Sequence, residues 1–192
     1  MEDTPALVCE WHAALQVALR KNRRDAHHRY FQLATLGAGG APRNRTVVFR
    51  GFGRSETSVL AITDARSDKF SELSSDPRAE VAWYFTRSRE QFRFAGQVTC
   101  LGPSSSVASD QALRTRVWQQ LSESAQSQFF WPPPGLPRGH GDTLEVTEAA
   151  PASFLVLELT PHWVDHLVLA KEQTRRISQW VDGAWQDTWI NP

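Results

Sequence analysis

The chain has 192 residues, enough for one domain with a buried core, and its 21 basic and 21 acidic side chains cancel. We therefore expect no nucleic-acid partner and no anionic membrane surface as a partner. Two cysteines are too few for a disulfide framework, no apolar run reaches the roughly 18 residues of a membrane span, and no secretory pattern is visible, so a cytoplasmic location is expected.

Apolar residues follow helical spacing near the N-terminus and then alternate, as in strands, over most of the chain. Leu7, Trp11 and Leu15 share one face of the first predicted helix, which belongs to a helical extension comprising residues 1–26. A glycine-rich turn at 37–40 should join a first hairpin, and Asp182-Gly183 a second. The predicted strands cover residues 29–36, 43–50, 58–63, 79–85, 91–101, 154–159, 163–169, 175–180 and 185–189.

Two further helices are predicted between the strands. Ser67 is a residue type that caps helices, and an apolar stripe follows it. Residues 110–127 carry a second stripe. Prolines 132–134 end regular structure, so the stretch to about residue 152 should be a loop with one short helical segment. Strands dominate without βα alternation, which predicts a mainly β (α+β) fold, a closed or split antiparallel barrel with peripheral helices.

The segment Arg45–Arg50 is the strongest candidate for a binding site. It places one arginine at each end of a β-branched and aromatic run, and the alternation of a strand sends the two side chains to opposite faces. Guanidinium groups match phosphate in charge and in geometry. Taken alone, the same segment is equally consistent with an exposed strand whose arginines only aid solubility.

Several further motifs follow this strand in a recognisable order. They are residues 62–69, 76–78, 83–85, 89–96 and the closing segment 184–192. In this order the chain resembles the pyridoxamine 5′-phosphate oxidase superfamily of FMN-binding split barrels over residues 27–192, and is most similar to the oxidase-like branch of cyanobacteria and plants. The resemblance implies a single split-barrel domain over residues 1–192 that forms a homodimer with FMN between its subunits. Four tryptophans in the last thirty residues would suit such an interface, or would fill a small barrel.

The resemblance also implies which residues contact FMN. Arg45 and Lys69 are candidate cations for its phosphate, and Ser67 adds a hydroxyl at a helix N-terminus, where free amides favour an anion. Arg50 stands where the family has a substrate-binding lysine. The implied FMN contacts are Arg45, Thr46, Val47, Val48, Ile62, Thr63, Ser67, Lys69, Gln91 and Arg176.

Three positions depart from the family pattern. Asp68 stands where a second basic residue is usual, and we interpret it as a solvated acid at a helix start. Phe154 replaces a tryptophan of the classical oxidase. Glu172-Gln173-Thr174 replaces the Arg-x-His with which that oxidase recognises pyridoxamine phosphate. The sequence therefore supports FMN binding better than vitamin B6 oxidation.

These observations favour an FMN-dependent oxidoreductase that acts on an unidentified small substrate, with no residue that stands out as a general base. One alternative is a non-catalytic FMN carrier or sensor of the same fold, and another is a split barrel that binds haem or a deazaflavin. No metal site is predicted, because His27 and His28 would point to opposite faces of a strand and no other ligand is spaced to join them.

Overall fold

The computed structural model describes residues 9–192, so Leu7 of the predicted first helix lies outside the described residues. This part of the chain forms nine strands and four α-helices, and the mainly β architecture is confirmed. The elements are α1 Glu10–Asn22, β1 Tyr30–Leu36, β2 Pro42–Val48, β3 Gly51–Phe52, β4 Val59–Asp64, α2 Asp68–Ser75, β5 Arg78–Phe85, β6 Glu90–Leu101, α3 Ala108–Gln119, α4 Glu123–Ser127, β7 Phe154–Val168, β8 Thr174–Val181 and β9 Ala184–Ile190.

The nine strands form one curled antiparallel sheet, in which seven follow the order β2-β1-β5-β6-β7-β4-β3 and β8 and β9 branch from β7. Strand β7 is paired with β6 along its length, while its first half also pairs with β4 and its second half with β8. Strand β9 closes the C-terminal hairpin with β8. Because β7 has different partners at its two ends, the sheet divides there into two arms that curl around the core.

Aromatic side chains fill the inner side of the curled sheet. Helix α1 covers it with Trp11 and Leu15, both fully buried, and Trp11 lies 5.4 Å from Phe94 between ring centroids. A second apolar cluster joins helix α3 to β7, where Trp118 packs against Phe154 at 4.9 Å. Each buried side chain of this size contributes roughly 1.5–3 kcal/mol to stability. The second cluster holds the segment after α4 against the sheet.

Both predicted hairpins are confirmed. Strands β1 and β2 are antiparallel, with Leu33 opposite Arg45. At the second turn, Asp182 and Gly183 have φ values of 49° and 83°, as a two-residue turn between twisted strands requires. Of the C-terminal tryptophans, Trp180 and Trp189 are 50% and 66% exposed, so these two do not fill the barrel.

Three predicted boundaries are wrong. The helix over 110–127 is two helices, because Ser122 accepts a hydrogen bond from the Ala125 amide and begins α4. The strands over 154–159 and 163–169 form the single strand β7, which accommodates Pro161 at a bulge opposite Gly96. A Cβ on Gly96 would lie 2.2 Å from the Thr160 carbonyl oxygen, so the close approach requires glycine. The short helical segment lies at Gln128–Phe130, before the prolines rather than after them.

Within the part of the chain that the structure describes, no helix has the length and apolar character needed to cross a membrane.

Candidate functional site

A cleft with two ends runs along β2. Two cavities of about 570 and 580 Å³ are both bordered by Arg45, Lys69 and Pro134, and they therefore adjoin. We call the first cavity the basic end and the second the apolar end. The basic end is lined by Gly37, Ala38, Arg43, Asn44, Arg45, Ser67, Asp68, Lys69, Ser71, Glu72, Pro134 and Gly135. The apolar end is lined by Arg45, Thr46, Val47, Val48, Arg50, Ile62, Asp64, Lys69, Ala125, Gln128, Phe129, Trp131, Pro132 and Pro134.

Arg45 is held in place at the basic end by contacts with two neighbouring elements, β1 and α2. Its guanidinium donates one hydrogen bond to the Thr35 hydroxyl on β1 and another to the Glu72 carboxylate on α2. A longer contact of 3.5 Å joins it to the Leu33 carbonyl oxygen. The arginine predicted from the strand motif is therefore oriented before any ligand arrives, which reduces the entropy that binding must remove.

Lys69 and Ser67 form a second polar group beside Arg45. The Lys69 ammonium donates to the Thr63 hydroxyl at 3.0 Å, and the Ser67 hydroxyl lies 3.0 Å from the same oxygen. Burial and the nearby Arg45 charge lower the pKa of Lys69, although neighbouring acids partly oppose this shift. Ser67 occupies the position before α2, but its hydroxyl donates to the Asp64 carbonyl oxygen instead of capping the helix. Ser67 and Lys69 therefore meet at the basic end around the Thr63 hydroxyl, while Thr63 itself is buried and lines neither cavity.

Asp68 is exposed at the first position of α2, in agreement with its interpretation as a solvated acid. Arg66 does not pair with it, because the Arg66 guanidinium binds the Asp64 carboxylate at 2.6 Å. Asp68 nevertheless lines the basic end, where its charge reduces the positive potential.

The apolar end is a slot between the sheet and the segment 128–134. Val48 and Ile62 line it from the sheet, and Phe129 and Trp131 line it from this segment. The Arg66 guanidinium donates to the carbonyl oxygens of Trp131 and Phe129 at 3.0 and 3.2 Å, which anchors the segment. Sequence reasoning treated this segment as loop and missed its role. Its only visible signal is that aromatic residues directly precede the prolines.

Phe154 supports this wall from behind. Its ring packs edge-on against Phe129 at 5.0 Å, and it is fully buried. The substitution of phenylalanine for the classical tryptophan therefore keeps an aromatic ring in contact with the slot's lining.

Arg50 lies two residues beyond the end of β2 and lines the apolar end. Burial and the neighbouring Arg29 charge lower its pKa, with a smaller opposing effect of Tyr30, and no carboxylate of residues 9–192 contributes. Its Nε has no hydrogen-bond partner among the described residues. A half-buried cation without a counter-ion is costly unless an anion completes it, so Arg50 is suited to an anionic group of a ligand.

Gln91 and Arg176 are not brought to this cleft within the chain. Pairing across β1, β5 and β6 puts Gln91 on the same sheet face as Thr46, but three strands across and two residues along, about 16 Å away. Arg176 lies on the opposite face, where it is buried and bonded to Glu10 at 2.8 Å. The neighbouring Arg175 shares the face of Gln91 and binds Asp165.

Among residues 9–192, no three histidine, cysteine or acidic side chains are grouped so that they could hold a metal ion.

Residues 8–102 match the family model described as pyridoxamine 5′-phosphate oxidase, FMN-binding domain. The chain is also 32% identical over 194 residues to pyridoxine/pyridoxamine 5′-phosphate oxidase 2 of Arabidopsis thaliana, with 96% of this chain and 98% of that protein covered. The chain belongs to the pyridoxamine 5′-phosphate oxidase family. FMN is accordingly its cofactor, and the family resemblance seen in the motifs is confirmed.

Solved structures of the family confirm the split-barrel fold. A pyridoxamine 5′-phosphate oxidase-related, FMN-binding protein from Nostoc punctiforme has a TM-score of 0.88 and 38% identity, with both chains fully covered. PhzG from Burkholderia lata, solved with tetrahydrophenazine-1-carboxylic acid, has a TM-score of 0.68 at 19% identity and shares the fold. It aligns over 95% of this chain and 89% of its own.

The residues of the cleft fit FMN. The basic end has two fixed cations and a hydroxyl for a phosphate group, and the adjoining slot has apolar walls for a planar ring. Arg50 lines that slot and is absent from the lining of the phosphate end. This order of charges along β2 and the residues that follow it suits one molecule with a phosphate at one end and a polar, aromatic ring system at the other.

Proposed function

We propose that this family member is an FMN-dependent oxidoreductase that acts on a small substrate at the apolar end of the cleft. The observation that carries the proposal is the position of Arg50, a half-buried cation to which residues 9–192 supply no counter-ion, in the slot that adjoins the basic end. A protein that only stored FMN would gain nothing from a second anion site beside the ring, and would bear its desolvation cost.

When bound, FMN supplies the electron-accepting ring, and the chain supplies binding and orientation. Arg45, Lys69 and Ser67 would hold the phosphate through charge-assisted hydrogen bonds. The valines of β2 and Ile62 would pack one side of the ring, while Trp131 and Phe129 would limit access of water. The carboxylates of the cleft that form ion pairs, Asp64 and Glu72, are poorly placed to act as a general base.

The substrate is proposed to carry less negative charge than a phosphate dianion. Glu172, Gln173 and Thr174 lie exposed at the start of β8 and provide no cation. Arg50 alone balances a carboxylate better than a phosphate. The Arabidopsis relative is named as a pyridoxine/pyridoxamine 5′-phosphate oxidase, so vitamin B6 phosphates are the first substrates to exclude or accept.

We further propose that the protein is a homodimer whose second copy covers the outer sheet face of β1, β5 and β6. Tyr30 and Tyr84 are 42% and 43% exposed on that face, and exposed aromatic residues are typical of interfaces. Gln91 lies on the same face as Thr46, so a partner subunit would deliver its own Gln91 to the flavin. The FMN contacts of Gln91 and Arg176 remain predictions, and the geometry favours Arg175 as the arginine on the shared face. The cytoplasmic location also remains a prediction.

The test has two steps. Denaturing release from the purified protein should yield FMN in about one equivalent per chain. The FMN-loaded protein is then mixed anaerobically with pyridoxamine phosphate, small aromatic carboxylates and NAD(P)H, and bleaching of the flavin absorption is followed. Reduction by one of these compounds, lost in Arg50→Ala at unchanged FMN content, supports the enzyme. A stable FMN complex that none of the compounds reduces favours the alternative of a carrier or sensor.

A further inference from the structure

The basic end of the cleft contains an acid that binds directly to its principal cation. The Glu72 carboxylate accepts hydrogen bonds from the Arg45 guanidinium and from the Thr35 hydroxyl, the second at 2.5 Å. The side chains of Glu72 and Arg45 are only 11% and 23% exposed, and Thr35 is buried. Solvent therefore screens this ion pair much less than a surface pair.

The three side chains form a closed network. Arg45 donates to Thr35 and to Glu72, and Thr35 in turn donates to Glu72. Each member lies on a different element, since Thr35 belongs to β1, Arg45 to β2 and Glu72 to α2. Glu72 is thus well suited to keep the Arg45 guanidinium at one orientation.

The charge of Glu72 has an opposite effect on an anion in the same place. The cations that line the basic end are Arg43, Arg45 and Lys69, and the acids are Glu72 and Asp68. Since Glu72 contacts Arg45, a phosphate that binds Arg45 must share the guanidinium with a carboxylate. Two anions on one cation repel each other strongly where water is partly excluded.

We infer that Glu72 is a positioning residue whose negative charge limits the affinity for the FMN phosphate. This inference rests on the proposed placement of the phosphate at Arg45 and Lys69. The shape and acceptor oxygens of Glu72 orient Arg45, while its charge makes the bound cofactor easier to exchange. Riboflavin, which has no phosphate, should not experience the repulsion.

The decisive variant is Glu72→Gln, which keeps the size and an acceptor oxygen but removes the charge. In flavin-fluorescence titrations of the full chain freed of FMN, Glu72→Gln should lower the Kd for FMN by about tenfold or more. The Kd for riboflavin should stay the same. Glu72→Ala, which also loses the positioning of Arg45, should gain less affinity for FMN than Glu72→Gln.

Two matched controls remove one negative charge elsewhere. Asp68→Asn lies at the start of the same helix but is exposed, so its effect on the FMN Kd should be much smaller because solvent screens its charge. Glu56→Gln lies in an exposed loop that does not line the cleft, and should change neither Kd.

The outcomes distinguish a failure of the proposed phosphate site from a failure of the proposed role of Glu72. If Arg45→Ala weakens FMN but not riboflavin, while Glu72→Gln leaves the FMN Kd unchanged or raises it, the phosphate site stands and the role of Glu72 is overturned. If Glu72→Gln shifts both ligands equally, its effect is structural and the charge mechanism is overturned. If Arg45→Ala leaves FMN binding unchanged, both the phosphate site and the inference fail.

Discussion

The two ends of the cleft lie along β2 and the residues that follow it, but their cations have different partners. At the basic end, the side chain of Arg45 binds Glu72 and Thr35, and Lys69 binds Thr63. At the apolar end, Arg50 has no acidic partner among the described residues, and its Nε donates to nothing there. A site whose cations are already engaged is prepared for a resident ligand that must be held in one position. A cation without a counter-ion is suited to a substrate that binds and dissociates in each turnover, because the substrate's negative charge then compensates the cation only while it is bound.

The largest effect expected from this difference is a low rate of oxidation of vitamin B6 phosphates. A phosphate dianion needs several fixed cations in a partly desolvated site, and the apolar end offers Arg50 without the classical arginine and histidine. We expect kcat/KM for pyridoxamine phosphate to be roughly a hundred- to ten-thousandfold below that of a classical oxidase. Formation of pyridoxal phosphate by the two FMN-loaded proteins, assayed side by side, measures this. Comparable efficiency would mean that another cation, such as Arg175, reaches the substrate.

Substitution of one arginine at each end should affect FMN binding and substrate binding separately. Arg45→Ala should weaken FMN binding by roughly ten- to a hundredfold, because a charge-assisted hydrogen bond contributes about 1.5–3 kcal/mol. Lys69→Ala should act in the same direction. Arg50→Ala should leave the FMN Kd nearly unchanged and raise KM for an anionic substrate. If Arg50→Ala weakens FMN binding as much as Arg45→Ala does, the proposed separation of a phosphate end from a substrate end is wrong.

If the protein is the proposed homodimer, one chain alone should not contain the whole FMN site. Light scattering at micromolar concentration should give twice the chain mass of 21.7 kDa. Tyr84→Arg, in the middle of the exposed sheet face, should shift the protein toward the monomer and weaken FMN binding. A monomer that binds FMN with undiminished affinity would show that the cleft is complete without Gln91 of a second copy.

The smallest expected effect is a difference in acid stability between the two ends. Burial works to raise the pKa of Glu72, but hydrogen bonds from Thr35 and Arg45 outweigh it and lower the pKa. A depressed carboxyl pKa stabilises the fold above the ordinary value of 4.5, and this contribution is lost as the pH falls through the lowered value.

In FMN-free protein, Glu72→Gln should therefore reduce the free energy of unfolding by about 1 kcal/mol near pH 7. The difference from the unsubstituted chain should shrink as the pH falls below 4.5. Arg50→Gln, which breaks no pair with a carboxylate of residues 9–192, should produce no such pH dependence. Urea unfolding at several pH values compares the two, and equal pH profiles would contradict the assignment.

The two ends also differ in how far the sequence predicts them. Arg45, Ser67 and Lys69 of the basic end lie within residues 45–69, and so does Ile62 of the sheet wall. One run of motifs is therefore enough to find them. The opposite wall comes from residues 128–134 and reaches the slot through the contacts of Arg66 with two backbone carbonyls. No periodicity or motif reports such a contact, because it depends on how α3 and α4 pack.

Other misses have similar causes. Proline predicts a strand break at 161, but the bulge that accommodates it is set by Gly96, some sixty-five residues earlier in the chain. The link between Thr35, Arg45 and Glu72 depends on the register of β1 with β2 and on where α2 lies. In the proposed dimer, the positions of Gln91 and Arg176 relative to the flavin would depend on a second copy of the chain, which no local pattern describes.

The anchoring of segment 128–134 has a consequence for how this protein can diverge. Arg66 recognises only carbonyl oxygens of the segment, and every amino acid carries one. Mutations can therefore exchange the half-exposed side chain of Trp131 while the loop stays attached to the barrel, whereas Phe129 is held in the core against Phe154. Changes in ligand preference can accumulate on this loop at little cost to folding, while Asp64 and Arg66 remain under strong constraint. Under selection for a new reaction, we would then expect substitutions in the loop before substitutions in the strands.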